Sequence, residues 1–200
     1  MGSLRDPHQL TAAVGPNGDR TEYTYYGADA SVPGKDAALA WIISNTEELV
    51  ERVTEVADQG PAPRPETAFA YDFTQAAAGV YTTAVTDPRT HDTVYTLNIH
   101  GSPTRIQEPQ GKETVIQWKP NDILKQDEQD AEGRITRYDH DANGNLTLET
   151  IEKDGVTLAE TAYQYELTFN KLTYKKDAEG QETTYTIDPT TGDLLRTVDA

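Results

Sequence analysis

The sequence contains no cysteine, few positive charges and no long apolar run. Without cysteine the chain cannot form disulfides, thiolate nucleophiles or cysteine-based zinc sites. Lys and Arg number 17 against 34 Asp and Glu, a formal net charge of −17. This balance argues against nucleic-acid binding, because phosphate recognition depends on a surplus of Lys and Arg. No run approaches the roughly 18 apolar residues of a membrane span, so we expect no membrane insertion.

The residue types that are abundant favour β-structure. Hydrophobic residues make up only 36% of the chain, but there are 11 Tyr, and Thr is frequent. Both types pack well on a half-buried pleated surface. A length of 200 residues is ample for one hydrophobic core, since single cores stop growing near roughly 250 to 300 residues. The composition therefore predicts a folded, β-rich chain.

One pattern recurs along the chain: an apolar-Thr step, a Gly-containing turn, an alternating stretch that ends in an aromatic residue, an Asp-like residue and a second turn. Tyr23 and Tyr25 share one face of such a stretch while Thr24 points away. Second turns such as Asn143-Gly144 tolerate the left-handed backbone of hairpins. The residues that end the alternating stretches are Tyr25, Tyr71, Leu97, Trp118, Tyr138, Tyr165 and Ile187. Successive copies allow two strands and two turns, which predicts a run of β-hairpins.

These residues resemble the YD repeats of the RHS family, whose approximate pattern is Gly-Arg-x-Thr-x-Tyr-x-Tyr-Asp-x-x-Gly-Asn-Leu-Thr. The best-matched copy runs from Gly133 to Asp139 and continues from Asn143 to Thr147. Trp118-Lys119 and Leu97-Asn98 replace Tyr-Asp, which suits a packing and turn role better than a catalytic one. The matched signature positions are Tyr23, Tyr25, Tyr71, Asp72, Trp118, Gly133, Arg134, Thr136, Tyr138, Asp139, Asn143, Gly144, Asn145, Leu146, Tyr165, Gly180 and Asp188.

The resemblance implies that the chain is an internal segment of a longer bacterial protein that is secreted or displayed at the cell surface. In RHS and toxin-complex proteins such repeats form a β-sheet that spirals into a hollow shell around a C-terminal toxin. In teneurins a related shell serves cell adhesion. The expected role is therefore structural and non-enzymatic, without cofactors. The expected partners are neighbouring YD repeats of the same parent chain and an encapsulated toxin domain.

The expected fold is all-β, with consecutive antiparallel β-hairpins forming an extended, curved sheet and one inserted helix near residues 36–49. Residues 1–8 are assigned to an N-terminal tail whose start resembles a cloning remnant. Residues 9–30 form a first repeat, 31–50 a helical insert, and 51–200 further repeats that stop within a copy. Unpaired strands at the ends of such a segment invite edge-to-edge self-association.

The helical insert breaks the repeat period. Apolar residues such as Leu39, Ile42 and Leu49 follow a helical spacing. From 51 to 57 the sequence is compatible with a continued helix or with a strand. The repeat phase favours a strand, because Val53-Thr54 precedes a turn as Leu172-Thr173 does. Residues 60–65, rich in proline, predict a polar loop.

A calcium-loop pattern begins at Asp139. Asp139, Asp141 and Asn143 occupy its first, third and fifth positions, and Gly144 its sixth. The bidentate Glu required at position twelve is replaced by Thr150, and the flanking segments are predicted strands. The preferred interpretation is that these are turn residues of the repeat. A calcium site of different geometry is left open at the same three residues.

The remaining polar residues predict no enzyme. His8, His91, His100 and His140 lack the spacing of a metal site. No Gly-x-Ser-x-Gly or phosphate-binding loop occurs, and the many acids fit a solvated surface. The tyrosines leave one alternative open. Aromatic side chains repeated on one strand face can stack on carbohydrate, so an adhesin-like module that binds glycans or cell surfaces is the second hypothesis.

Overall fold

The computed structural model describes residues 10–16, 20–26, 32–33, 49–56, 65–120 and 123–199. They contain fifteen β-strands in one sheet, in which each strand lies beside its neighbours in the sequence. The strands are β1 Ala12–Val14, β2 Arg20–Tyr25, β3 Val50–Val56, β4 Glu66–Asp72, β5 Tyr81–Thr86, β6 Asp92–Leu97, β7 Pro103–Gln107, β8 Glu113–Trp118, β9 Lys125–Gln129, β10 Ile135–His140, β11 Leu146–Lys153, β12 Val156–Tyr165, β13 Leu172–Lys176, β14 Glu182–Ile187 and β15 Leu194–Asp199. Short 3-10 helices occur at Ala76–Ala78 and Pro109–Gly111.

The prediction of an all-β fold of consecutive antiparallel hairpins is confirmed. Period-two alternation of Thr with Tyr or Val places one residue in two on each face, as in β14 (Glu182–Ile187). Short turns of polar residues then bring each strand back beside the preceding one. The strand predicted after residue 50 is also confirmed, as β3.

The hairpin of β11 and β12 differs from the others. Its strands have eight and ten residues, and its turn has only two, Asp154 (φ 52°) and Gly155 (φ 75°). Positive φ at both central residues is the geometry of a type I′ turn, whose twist matches that of paired strands. The hairpin is therefore tightly closed and longer than its neighbours.

The chain divides into two compact units, Met1–Glu113 and Thr114–Ala200. In the first unit the described core is a cluster of Val32, Phe73, Ala76 and Tyr81. In the second unit Ile116 is the only hydrophobic residue that is buried among those described. Most apolar side chains of the sheet are therefore half-buried.

The predicted helix over 36–49 falls outside the described residues except for Leu49. The predicted loop over 60–65 does so except for Pro65, and so does the predicted tail over 1–8. No helix in the described part of the chain is long and apolar enough to cross a membrane.

Candidate functional site

Side-chain oxygens close most of the hairpin turns. After β9, Asp130 Oδ1 accepts hydrogen bonds from the backbone amides of Glu132 (3.0 Å) and Arg134 (2.9 Å). The Asp130 amide donates to the Arg134 carbonyl, and the Gly133 amide donates to the Asp130 carbonyl. Gly133 has a φ of 80°, which glycine adopts without strain. The result is a three-residue loop in which a type I turn is followed by a left-handed residue.

The same turn occurs at four further positions, and longer versions at two. Thr90 takes the left-handed position in one of them. Glu166 and Asp188 close the longer loops by accepting hydrogen bonds from two or three amides each. The acceptors equivalent to Asp130 are Asp87, Asn98, Asp141 and Asp177. The acidic residue of the repeat is therefore a hydrogen-bond acceptor that fixes the turn.

These hydrogen bonds favour the charged form of the turn carboxylates. The backbone amide of His91 keeps the pKa of Asp87 below its ordinary value. The side-chain amide of Asn145 does the same for the pKa of Asp141. The amide of Lys171 lowers the pKa of Glu166, and the amide of Thr190 lowers that of Asp188. Hydrogen bonds donated by N–H groups stabilise the ionised carboxylate, so each of these turns is most stable when its carboxyl group is charged.

A β-bulge follows many of the turns. In seven of the described hairpins the returning strand carries one extra residue close to its start. In three of the seven this residue is a threonine. The three hydroxyls donate across the bulge, Thr104 to the Thr96 carbonyl (3.2 Å), Thr147 to the Asp139 carbonyl (3.2 Å) and Thr173 to the Gln164 carbonyl (3.1 Å). The threonine that follows Pro103, Leu146 or Leu172 thus has a defined structural role at the bulge.

The turns lie at the two ends of the strands, and we name the two rows of turns. The packed rim comprises the turns that follow even-numbered strands, and the open rim those that follow odd-numbered strands. Six of the seven bulges belong to hairpins of the packed rim, and the seventh, at Leu158, belongs to the open-rim hairpin of β11 and β12.

In the first unit the packed rim contains the aromatic core. The ring of Tyr71 lies 6.1 Å from Tyr26 in an edge contact and 6.2 Å from Phe73 in a stacked one. Phe73 in turn contacts Tyr81 at 6.1 Å. The hydroxyl of Tyr71 donates to the Val50 carbonyl (3.0 Å). Successive turns of this rim are therefore joined by aromatic packing.

In the second unit the packed rim is joined by polar and apolar contacts. Asn145 Nδ2 donates to Asn170 Oδ1 (2.6 Å), and Asn170 Nδ2 donates back to Asn145 Oδ1 (2.9 Å). This reciprocal pair links the turn after β10 to the turn after β12. The next link is steric, because a Cβ on Gly192 would lie 2.7 Å from Phe169 Cγ. Neighbouring turns therefore touch through specific side chains.

The predicted strand residues of the signature are half-buried. The hydroxyl of Tyr25 donates to the Leu10 carbonyl (3.0 Å), and Lys125 lies over the ring of Tyr138, 5.4 Å from its centroid. Thr136 pairs with Glu128 and Ile151 in the sheet. The half-buried members are Tyr23, Tyr25, Tyr71, Trp118, Thr136, Tyr138, Leu146 and Tyr165. They are spread over many strands rather than gathered at one site.

The predicted turn residues other than Asp139 lie in or directly beside turns. Asp72 accepts a hydrogen bond from the Thr74 amide, and Arg134 Nε donates to Asp130 Oδ2 (2.6 Å). Gly144 and Gly180 have φ values of 88° and 84°.

One assignment within the best-matched copy is wrong by two residues. The repeat pattern assigns Tyr138-Asp139 to the Tyr-Asp pair. In the structure Asp139 is an exposed residue of β10, and the carboxylate that closes the turn belongs to Asp141. His140 stands at the bulge, where Tyr165 and Ile187 stand in other copies. Tyr138 and His140 lie on the same strand face, so alternation alone cannot distinguish them.

The three calcium candidates are engaged differently. Asp141 Oδ1 accepts hydrogen bonds from two backbone amides of its turn, and Asp141 Oδ2 accepts one from Asn145 Nδ2 (2.9 Å). Asn143 Nδ2 donates to Asn170 Oδ1 (3.4 Å). Among the described residues, no group of three or more His, Asp or Glu is placed to hold a metal ion. The geometry thus gives Asp141 a turn role.

Sequence reasoning missed the contacts between turns. Asn170 and Phe169 carry the links to neighbouring turns, yet neither matches the repeat signature. The only signal for Asn170 is that asparagine tolerates a left-handed φ, here 58°. The signal for Thr104 is that it follows the apolar residue Pro103, as Thr147 and Thr173 follow leucine.

No protein-family model matches this chain, and no curated protein matches it. Solved structures do match this chain. The crystal structure of TcdB2-TccC3-Cdc42 is 13% identical, with a TM-score of 0.57 over 94% of this chain and 9% of that one. TcdB2-TccC3 without its hypervariable C-terminal region is 14% identical, with the same TM-score and coverage. TcdB2-TccC3 itself is 13% identical, with a TM-score of 0.57, over 94% of this chain and 10% of that chain. This chain therefore shares a fold with about a tenth of a much longer chain.

Proposed function

We propose that this chain is a non-enzymatic wall segment of a YD-repeat shell of the RHS type, in a secreted protein whose full-length form encloses a C-terminal toxin. The observation that carries the proposal is the sheet of hairpins in chain order, in which the same three-residue turn recurs at five of the described hairpins. The fold likeness to TcdB2-TccC3 over 94% of the chain supports it.

The hydrogen bonding of the sheet and its turns suits a structural segment in the wall of a shell. Every strand is held by main-chain hydrogen bonds to a neighbour on each available side, so the sheet does not depend on a large central core. The turn carboxylates fix the loops, and the packed rim ties one turn to the next. Such a sheet can be lengthened by further repeats, because each repeat contacts mainly its neighbours.

The test is protection of the C-terminal region in the longest natural polypeptide that contains this segment. We expect limited proteolysis to spare that region in the intact protein. A Gly192→Val variant, which disrupts the packed rim, should expose it, whereas Gly180→Val on the open rim should expose it less. Equal digestion of the region in all three proteins would contradict the shell proposal.

The absence of enzymatic activity is also proposed and has its own test. We expect no turnover when the purified chain is incubated with a panel of sugar polymers. Hydrolysis that persists through purification and is lost in an acidic-residue variant would show that the chain is an enzyme.

Glycan binding is the second candidate, favoured by aromatic residues on one face of the second unit. Tyr163 and Tyr165 are two apart on β12, and the pairings Tyr138–Glu149 and Glu149–Thr161 place Tyr138 on the same face. A glycan array should then show saturable binding that Tyr163→Ala abolishes. Tyr174→Ala is the matched control, because Tyr174 pairs with Gln164 and lies on the other face. Equal effects of the two variants would argue against a binding face.

A further inference from the structure

The long strand β12 is paired on both sides along only part of its length. On one side β11 pairs with it from Val156 to Ala162, except that a bulge leaves Leu158 without a partner residue. On the other side β13 pairs with it only from Ala162 to Tyr165. Among the described residues, no strand lies against the β13 side of residues 156–161, which we call the free segment. It lies within the sheet, beside the turn that follows β13.

Backbone hydrogen-bonding groups of the free segment point to this unoccupied side. The Thr173 hydroxyl donates to the Gln164 carbonyl, so the backbone of Gln164 faces β13. Because successive residues of a strand face alternate neighbours, Ala162 and Glu160 face the same side. The N–H and C=O of Glu160 are thus presented where β13 has ended. Unpaired groups of this kind are a template for another strand.

A groove borders the free segment. It has a volume of about 410 Å³, and its apolar lining includes Leu148, Leu158, Ala162 and Ala178. Leu158 is 56% exposed although it is apolar. The turn after β13 contributes Ala178 and Gly180 to the lining of the groove. An extended peptide laid along the free segment would cover these side chains with every second residue.

The charged residues around the groove indicate which kind of peptide it would bind. Glu160 and Asp177 line it, and no ion pair in the described part of the chain involves either residue. The one cation in the lining, Lys176, is paired with Glu182 (3.4 Å). A ligand whose polar residues are basic would therefore meet complementary charge.

We infer that the free segment of β12 binds an extended segment of a partner polypeptide by strand addition, with apolar residues alternating with Lys or Arg. Main-chain hydrogen bonds to Glu160 supply affinity, and the apolar groove and its acids supply selectivity. The inference does not depend on the proposed shell function, since it uses only the pairing of β11, β12 and β13.

The test uses an acetylated and amidated nine-residue peptide that alternates Lys and Val, titrated into the chain by calorimetry. We expect saturable one-to-one binding. The same peptide with Val replaced by N-methylvaline cannot donate at alternate amides and should not bind. Glu160→Pro removes a donor on the unoccupied side, where proline is tolerated, and should weaken binding about tenfold. Glu160→Gln keeps the backbone donor and should weaken it about threefold.

A second variant covers the case in which Glu160→Pro alters the fold. Leu158→Lys places a cation in the groove, so it should weaken binding of the Lys-Val peptide and strengthen binding of a Glu-Val peptide. Circular dichroism should be unchanged in every variant that is compared. The inference is overturned if the Lys-Val peptide does not saturate, or if its N-methylated form binds equally. Self-association that Glu160→Pro abolishes, without peptide binding, would make a second copy the occupant and would also overturn it.

Discussion

The two rims of the sheet use the same turns but differ in what surrounds them. On the open rim, a Cβ added to Gly111, Gly133, Gly155 or Gly180 would meet no atom within 4 Å. On the packed rim it would meet Ile99 from Gly79, Leu124 from Gly144 and Phe169 from Gly192, and only Gly101 has open space there. The comparison separates two roles of a turn, which are to reverse the chain and to contact the next turn.

The largest expected difference between the rims comes from the aromatic core. Phe73→Ala removes a ring that is only 6% exposed and contacts two other rings. We therefore expect the free energy of unfolding to fall by about 3 to 5 kcal/mol. His91→Ala, at an exposed position of the open rim, should change stability by no more than about 0.5 kcal/mol. Urea unfolding followed by circular dichroism measures both, and similar losses would remove the distinction between the rims.

The next effect compares two glycines of similar φ. Gly192→Ala should lower the free energy of unfolding by about 3 kcal/mol, because the strain of a left-handed backbone conformation adds to a clash with Phe169. Gly180→Ala has the strain alone and should cost about 1 to 2 kcal/mol. The double change Gly192→Ala with Phe169→Ala should recover the part due to the clash. Equal losses at the two glycines would show that Phe169 moves away without cost.

A smaller effect is expected from the reciprocal amide pair. Asn170→Gly removes the side chain without opposing the left-handed φ of 58°, and should cost about 1 kcal/mol. Combined with Asn145→Ala, a double-mutant cycle should give a coupling energy of about 0.5 to 1 kcal/mol. A coupling of zero would mean that the two turns are held together without this pair.

The smallest effect per residue is acid sensitivity, which both rims share. The carboxylates of Asp87 and Asp141 have pKa values below the ordinary 3.8. A lowered folded-state pKa means that their contribution is present above this value and is lost as the pH falls through the folded-state pKa. Hydrogen exchange near pH 3 should show reduced amide protection in these two turns.

The turn closed by Asn98 provides a control within the chain, because an amide does not titrate in this range. Its amides should keep their protection relative to those of the Asp87 and Asp141 turns. Parallel loss of protection in all three turns would indicate global unfolding instead.

The repeated parts of the fold could be predicted from the sequence because they depend on local chemistry. Asn143-Gly144 and the alternation around Tyr23 specify a turn and a strand from neighbouring residues alone. The strand at Val50–Val56 needed one further argument, the phase of the repeat, and that prediction is confirmed.

The contacts between turns could not be predicted, because they join residues far apart in the sequence. Asn145 and Asn170 are 25 positions apart, and their contact depends on the register of three strands. The misplaced Asp139 has a related cause. A period of two fixes the face of a residue but not which residue reaches the turn, and only the hydrogen bonds of Asp141 identify it.

The alternation of the rims limits how such a chain can change in length. Adding two strands returns the next turn to the rim from which it came, so every later contact between turns is kept. Adding or deleting a single strand would place the turns before and after the change on opposite rims, so a contact that joins them, such as that of Asn145 with Asn170, would be lost. Viable insertions and deletions in this fold should therefore contain an even number of strands.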